Sequence, residues 1–273
     1  MLNAFMVMLS LEILLSTIGW LFGGIPLLLI LAFVGVFINA LVFLMSGSIM
    51  IRALKAKPFN EPDILSMIET LSIDAQVKLP DLMVMNNDVP NALCVGRHKD
   101  KATIIITSGL LTLERAEIRA MLGHVIGLIR NRHVFPNTIG AVVGMVFSWP
   151  ANRGYWALFS INEQRKGNLL WMLPILIFAP LGAIFVKMSV ERTMTNRADY
   201  TSVMLRNDPK TMASALRKAS AFIRNNPMVG PVYASNLFII NPFKRDWFTE
   251  LFDCHPYIER RIEILEGMRL GSV

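Results

Sequence analysis

Apolar residues recur at three- and four-residue steps through residues 116–133, and this spacing predicts a single buried helix. The segment has the sequence AEIRAMLGHVIGLIRNRH, in which the apolar positions cover more than one face of a helix. Its internal histidine, His124, is therefore expected among apolar neighbours. Buried polar groups usually find a partner without any catalytic role, so a core histidine is the simpler interpretation and a metal ligand the alternative.

Two long apolar runs precede this helix and predict a transmembrane hairpin. Residues 2–22 and 25–46 each supply the roughly 20 residues that a helix needs to cross the hydrocarbon core, and only Gly23 and Gly24 separate them. A cleaved signal peptide is the alternative, but a second span does not normally follow one directly. Glu12 is costly near mid-membrane, so we expect it to pack inside a bundle or against a partner subunit.

Two further apolar runs, at residues 134–149 and 168–188, follow the central helix. The first of them is short and weakly hydrophobic, so a buried hairpin is the alternative to a true span. Lysine plus arginine number 11 in residues 47–133, 3 in the loop 151–167 and 13 in residues 187–273. By the positive-inside rule, both long polar segments face the cytoplasm and the protein is multi-pass.

The first polar segment predicts a small α+β unit. Residues 62–74 have helical spacing, and residues 82–85 and 103–106 are two β-prone runs separated by turn formers between 86 and 96. They predict a sheet of two or three strands packed on the central helix, with Thr112 as the cap of that helix.

The second polar segment predicts three helices and a loop. Residues 189–206 continue the last apolar run as a helix, and Asp208-Pro209 begins a second helix over residues 210–225. Residues 226–242 are rich in proline and asparagine and predict a surface loop. Residues 256–270 form a charged helix with an apolar inner face.

The predicted fold class is a mainly α membrane protein, with four hydrophobic (transmembrane) helices and a cytoplasmic α+β part that contains a small β-sheet. Four units follow from this reading: the N-terminal hairpin 1–50, the first cytoplasmic part 51–133, the second hydrophobic hairpin 134–188, and the second cytoplasmic part 189–273.

Composition agrees with a membrane protein and argues against nucleic-acid binding. Charged residues make up 17% of the chain, against about a quarter in soluble domains, and the mean hydropathy is +0.48. The net charge of +7 is dispersed and lacks interleaved aromatic residues, so the lipid bilayer is the expected partner rather than nucleic acid. Cys94 and Cys254 lie far apart, which predicts reduced, structural cysteines.

A family resemblance rests on short motifs that occur in order along nearly the whole chain. These are Val89-Pro90-Asn91-Ala92, Gly96-Arg97, Thr107-Ser108-Gly109-Leu110-Leu111, Asn131-Arg132, residues 192–199, Asp208-Pro209, Ala213-Ser214-Ala215-Leu216, residues 251–256 and Arg260-Arg261-Ile262. Together they resemble the HtpX-like integral-membrane zinc metalloproteases, relatives of the CAAX prenyl proteases. The resemblance implies the inner membrane of a prokaryote and a zincin-like domain that faces the cytoplasm.

The resemblance also implies positions for the family's zinc site. Such enzymes hold zinc with two histidines of an H-E-x-x-H helix and a later glutamate, while the helix glutamate activates water. Here these positions are His124, Leu128, Thr195 and Val125 respectively, and Asp199 keeps a further acidic position of the family. Catalytic zinc needs three protein ligands and a base near its water. We therefore expect no intact catalytic or metal site, no cofactor, and a structural role for Asp199 in orienting Arg192 or His124.

A relocated zinc site is the alternative, with zinc as cofactor. The other possible nitrogen and sulfur ligands are His98, His133, His255, Cys94 and Cys254. His133 lies about 13 Å beyond His124 along a helix at roughly 1.5 Å per residue, which is too far for one ion. His255 and Cys254 could approach His124. However, Val125 and Leu128 are apolar, as expected where a lost metal site has been repacked.

These observations predict a catalytically inactive membrane pseudoprotease that serves as a structural, assembly or regulatory subunit of a membrane complex. Its partners would be the bilayer and other membrane subunits, with a groove beside a strand edge able to hold a peptide. The alternative is an active zinc endopeptidase of membrane-protein quality control that uses a non-standard metal site. A lipid- or ion-handling protein, suggested only by Glu12 and Asn39, ranks last.

Overall fold

The computed structural model describes residues 2–159, 172–191 and 193–268. The helices in this part of the chain are α1 (Leu2–Ala53), α2 (Pro62–Ala75), α3 (Arg115–Arg130), α4 (Val134–Phe159), α5 (Met172–Ser189), α6 (Met194–Met204), α7 (Pro209–Asn225), α8 (Trp247–Phe252) and α9 (Ile258–Gly267). The strands are β1 (Lys57–Pro58), β2 (Asp81–Met85), β3 (Ala92–His98) and β4 (Lys101–Thr107). The chain is thus mostly helical, with a small mixed sheet.

Helix α1 folds back on itself at Gly24, whose backbone leaves the helical region with φ 62° and ψ −151°. The two arms run antiparallel and contact each other. The Asn39 side-chain amide in the second arm donates to the Met8 carbonyl at 3.2 Å and to a Glu12 carboxylate oxygen at 3.3 Å in the first arm. Gly35 has no side chain, and the Glu12 carboxylate occupies the space that a Cβ at position 35 would fill. Glu12 therefore faces the other arm of its own hairpin.

Among the described helices, α1 is long and apolar enough to cross a membrane. Its outer surface is strongly apolar: Phe22 is 82% exposed and Phe33 is 76% exposed. Apolar surface of this extent is unusual on a soluble monomer. The apolar stretch of α4, Val134–Trp149, is shorter, and its first ten residues are buried in the core.

Helix α4 continues to Phe159, so the predicted loop 151–167 is wrong in its first part. The remainder of that predicted loop, residues 160–167, lies outside the described residues. Helix α5 packs antiparallel to α4, and the contacts are close because a Cβ at Gly140 would collide with Ser189 and one at Gly144 with Val186. The second hairpin is therefore tightly packed along its described length.

The sheet has four strands in the order β1-β2-β4-β3, where only the β2–β4 pair is parallel. The prediction of two or three strands missed β3, which falls in the segment interpreted as turns. Its residues are buried on both faces up to Gly96, so they lack the alternation that marks a half-buried strand. Gly96 has φ 156° at a bulge, where a Cβ would meet the Lys101 carbonyl.

Helix α3 is the centre of the core and is buried from Glu117 to Ile129, apart from the half-buried Arg119. It packs against α2, α6, α7 and β3. The predicted cap at Thr112 is wrong, because Thr112 donates to Gly109 and ends a short 3-10 helix. Glu114 caps α3 instead, in a capping box with Glu117.

The second polar segment differs from its prediction in three places, one of which is the predicted surface loop 226–242, where residues 234–240 are buried. The predicted helix 189–206 is interrupted before Met194, and α8 was missed because it is six residues long. Helix α7 begins after its Asp208 cap as predicted, since the Asp208 carboxylate accepts from the Thr211 backbone N–H at 3.0 Å. Within residues 226–242, a 3-10 helix spans Val232–Leu237.

Candidate functional site

His124 lies in the middle of α3 and contacts α6. Its Nδ1 is 2.6 Å from Oδ1 of Asp199. The two helices come this close because α3 carries glycine on the facing side. A Cβ at Gly127 would lie 2.9 Å from the Ala198 carbonyl oxygen, and one at Gly123 would press on Ser202.

Asp199 is also paired with Arg261, which extends from α9. The Arg261 Nε donates to Asp199 Oδ2 at 2.9 Å, and Nη2 donates to Oδ1 at 3.0 Å. The remaining Nη1 donates to the Ile239 carbonyl at 2.7 Å. His124, Asp199 and Arg261 are only 2%, 3% and 1% exposed. They form a buried His–Asp–Arg network in which the negative charge of Asp199 and the positive charge of Arg261 neutralise each other.

Electrostatics fix the protonation of this network at neutral pH. Burial by itself would raise the pKa of Asp199, but the Arg261 charge and the contact with His124 lower it to about 2. Burial lowers the pKa of His124, and this outweighs the opposing effect of Asp199. Asp199 is therefore a carboxylate and His124 a neutral imidazole. Because a carboxylate can only accept, Nδ1 of His124 carries the hydrogen.

The three other positions of the expected zinc site are buried side chains that do not match the family's residue types. Val125, Leu128 and Thr195 are all buried. Leu128 lies one turn beyond His124 on α3, and Thr195 lies one turn before Asp199 on α6, so both flank the His–Asp contact. Both Asp199 oxygens already accept from Arg261. The residues present therefore do not fit a catalytic zinc ion, which would need three ligands.

His255, a ligand of the alternative site, is already engaged through both of its ring nitrogens. The ring nitrogens of His255 lie 3.0 Å from Asp253 Oδ1 and 2.9 Å from the Phe238 carbonyl. Burial raises the pKa of Cys254 to about 12, so it remains a thiol. Within the described ranges, no group of three or more His, Cys, Asp or Glu side chains is arranged to hold a metal ion.

The remaining predicted candidates are separate from His124. His98 is exposed and lies 3.0 Å from Asp100, and Nδ1 of His133 lies 3.8 Å from Glu191. Burial raises the pKa of Cys94 to about 12, consistent with a structural thiol. Arg192 lies outside the described residues. Asp199, which was predicted to orient Arg192 or His124, lies 2.6 Å from Nδ1 of His124.

The chain itself covers the start of one edge strand of the sheet, β3. Phe238 pairs with Leu93 of β3, and the Ile239 N–H donates to the Ala92 carbonyl at 3.1 Å. The buried Asn91 amide donates to the Ile240 carbonyl at 2.7 Å. Residues 238–240 therefore occupy the edge at the start of β3.

In the sequence, Arg261 stands out only as part of the motif Arg260-Arg261-Ile262, which gives it no role. The position of Arg261 on its helix could have indicated a role, since it shares a face with buried apolar residues. Arg261 is three residues after Ile258 and four before Leu265, two apolar positions that face inward. Arg260, one position earlier, is exposed. An arginine on the apolar face of a charged helix predicts a buried acidic partner.

Comparison with known proteins gives one family. A model of Peptidase family M48 matches residues 58–269. The chain is 32% identical over 270 residues to a "Protease HtpX homolog" of Pyrococcus furiosus, covering 95% of this chain and 93% of the relative. A "Protease HtpX homolog" of Pyrococcus abyssi is 31% identical over 265 residues, covering 94% and 92%. The crystal structure of S. mikatae Ste24p aligns with a TM-score of 0.47 and 14% identity, over 95% of this chain and 62% of that one.

Replacing Arg261 with glutamine should strongly destabilise the protein. The substitution leaves the buried Asp199 carboxylate without its cation, and breaking a buried pair in this way costs about 3–5 kcal/mol. Arg260→Gln, an exposed change one position earlier on the same helix, is the matched control. Chemical unfolding of the full chain in detergent measures both; equal stability of the two variants would show that the pair contributes nothing.

Stability should fall in acid partly because Asp199 becomes protonated. Its pKa is lowered in the folded state from 3.8 to about 2, so its contribution is fully present above pH 3.8 and is lost as the pH falls through 2. The size of this contribution is about 2 kcal/mol. In Asp199→Asn, the decrease in unfolding free energy between pH 5 and pH 2.5 should be smaller than in the wild type by roughly this amount.

The exposed Asp81→Asn change is the control for that measurement, since its decrease with pH should match the wild type. If Asp199→Asn and Asp81→Asn lose stability in parallel as the pH falls, the assignment of the acid sensitivity to Asp199 is wrong.

Proposed function

Because the chain belongs to Peptidase family M48 yet keeps only one of the three zinc ligands, we propose that it is a catalytically inactive, HtpX-like membrane pseudoprotease. It acts as a structural, assembly or regulatory subunit of a membrane protein complex. The observation that carries this proposal is the side chain at each of these positions: Val125, Leu128 and Thr195 are each buried, on the two helices that carry a His–Asp pair neutralised by Arg261.

The chemistry of peptide hydrolysis supports inactivity. A zinc peptidase needs a metal-bound water and a general base within hydrogen-bond reach of it. Val125 at the base position has no group that accepts a proton. His124 offers one free ring nitrogen, because its Nδ1 is committed to Asp199. With these residues the scaffold has apolar side chains that pack in the core, and it has no base that could activate a water molecule.

The retained network explains how the scaffold persists without metal. In a zinc site the ion joins the two helices that supply its ligands. In this chain the direct His124–Asp199 contact joins α3 to α6, and Arg261 adds α9. Loss of the ion therefore leaves these three helices connected, which favours a binding role for the folded protein.

The proposed membrane arrangement has four transmembrane helices in the cytoplasmic membrane of a prokaryote. Helix α1 supplies two of them as its antiparallel arms, and α4 with α5 supplies the other two. The soluble part faces the cytoplasm, where the positive-inside rule places the two segments rich in lysine and arginine.

Membrane subunits are the proposed partners, and α1 is the surface on which they would pack. Phe22, Phe33 and Leu29 are among its exposed apolar side chains, which contact either lipid or a neighbouring helix. In the soluble part, residues 238–240 cover the start of the edge strand β3, so that stretch is closed to a peptide partner.

The second candidate function is an active zinc endopeptidase of membrane-protein quality control. The names of the relatives favour it, since the two Pyrococcus proteins are called proteases. It requires a metal site built from ligands other than those at the family's positions.

An activity assay on the full chain reconstituted in liposomes tests the two functions against each other. We expect no cleavage of casein or of an unfolded membrane protein above a protein-free blank, no response to added zinc or a chelator, and no change in His124→Ala. Cleavage that a chelator abolishes and that zinc restores would establish the endopeptidase instead.

Restoring the family's residues tests whether the site has been repacked. The triple variant Val125→Glu, Leu128→His and Thr195→Glu should be markedly less stable than the wild type, because buried polar groups without partners cost about 1–3 kcal/mol each. Unfolding with and without zinc measures this. A triple variant that is as stable as the wild type and binds one zinc would show that an open pocket had merely lost its ligands.

A further inference from the structure

A cavity of about 340 Å³ lies between the end of α7, the start of α9 and the chain that leads into α8. Its volume falls within the roughly 300–1,000 Å³ typical of small-molecule sites. Arg224, Lys244 and Arg245 stand on its wall, and Arg261 and His255 also contribute to it. The proposed pseudoprotease role does not use this space, and Arg261 is the member of the His–Asp–Arg network that borders it.

The charged side chains of the cavity leave an excess of positive charge. Arg261 is matched by Asp199 outside the cavity. The Asp253 carboxylate on the wall is committed to His255, through both the ring and the backbone N–H.

Apart from Arg261, the wall carries three cations, Arg224, Lys244 and Arg245, and two carboxylates, Asp253 and Glu259. Among the described residues, the ion pairs within 4.0 Å include none of these three cations. All three side chains are exposed. Cations that face a shared cavity without carboxylate partners favour an anionic ligand.

The cavity lies next to a helix that contacts the second hydrophobic hairpin. Arg245 precedes α8 by two residues, and Phe248 and Phe252 of α8 pack with Ala179 and Ala183 of α5. At the start of α8, Trp247 is 59% exposed. Tryptophan beside lysine and arginine is typical of the level of lipid headgroups, so this side of the cavity would meet that level if α5 crosses the membrane.

From these observations we propose that the cavity binds a phosphate-bearing anion through Arg224, Lys244 and Arg245. Arginine forks and lysine ammonium groups are the side chains that proteins use for phosphate. The headgroup of an anionic phospholipid and a soluble phosphate are the two sources of this chemistry. The proximity of α8 and α5 favours the headgroup.

Thermal unfolding of the full chain in an uncharged maltoside detergent tests the proposal. The additives are short-chain phosphatidylglycerol, the net-neutral phosphatidylcholine of the same chain length, and inorganic phosphate. Phosphatidylglycerol should raise the unfolding temperature saturably, and phosphatidylcholine should not. A saturable shift with inorganic phosphate at comparable concentrations would assign the site to soluble phosphate instead of lipid, and would still support an anion site.

Charge-matched variants connect the effect to the cavity. Lys244→Gln with Arg245→Gln should raise the half-saturating concentration of phosphatidylglycerol about tenfold or more, as expected for loss of hydrogen bonds to a charged group. Lys78→Gln with Lys210→Gln removes the same charge from exposed positions outside the cavity and should leave the response unchanged. Arg224→Gln provides a single change in case the double variant fails to fold.

Two results would overturn the proposal. The first is the absence of a saturable shift with both phosphatidylglycerol and inorganic phosphate. The second is an equal response in the cavity variants and the Lys78/Lys210 control, which would mean that the anion acts on the overall charge of the protein.

Discussion

The pairing of Asp199 with Arg261 is the interaction on which the rest of the soluble part depends. Both groups are almost fully buried, so neither would remain charged there without the other. Asp199 also accepts from His124 on α3, and Arg261 also donates to Ile239 beside β3. A single carboxylate and a single guanidinium thus connect α3, α6, α9 and the chain that closes the edge of β3.

This arrangement separates two properties that a zinc peptidase normally combines. The first is a rigid junction of helices, which the His–Asp–Arg network supplies through direct contacts. The second is a polarised water, for which the positions Val125, Leu128 and Thr195 provide neither base nor ligands. The proposed binding role rests on this separation, and the apolar α1 surface is where the proposed membrane partners would pack.

Local patterns were enough to predict α1, α3 and α7, because each has long apolar periodicity or a clear cap. They were insufficient for β3, which is buried on both faces, and for α8, which is too short to show a period. The loss of zinc ligands is what the resemblance implies, and it stays a prediction. The role of Arg261 depends on a contact across 62 residues of sequence, so it became evident only once α6 and α9 were packed together.

The central claim is that this M48 chain persists as a metal-free subunit of a membrane complex. Native mass spectrometry of the protein extracted from its own membrane in mild detergent weighs bound metal and bound subunits in one experiment. The account predicts a chain without zinc that carries a membrane protein partner in a fixed ratio. One zinc per chain, lost in His124→Ala, would contradict it.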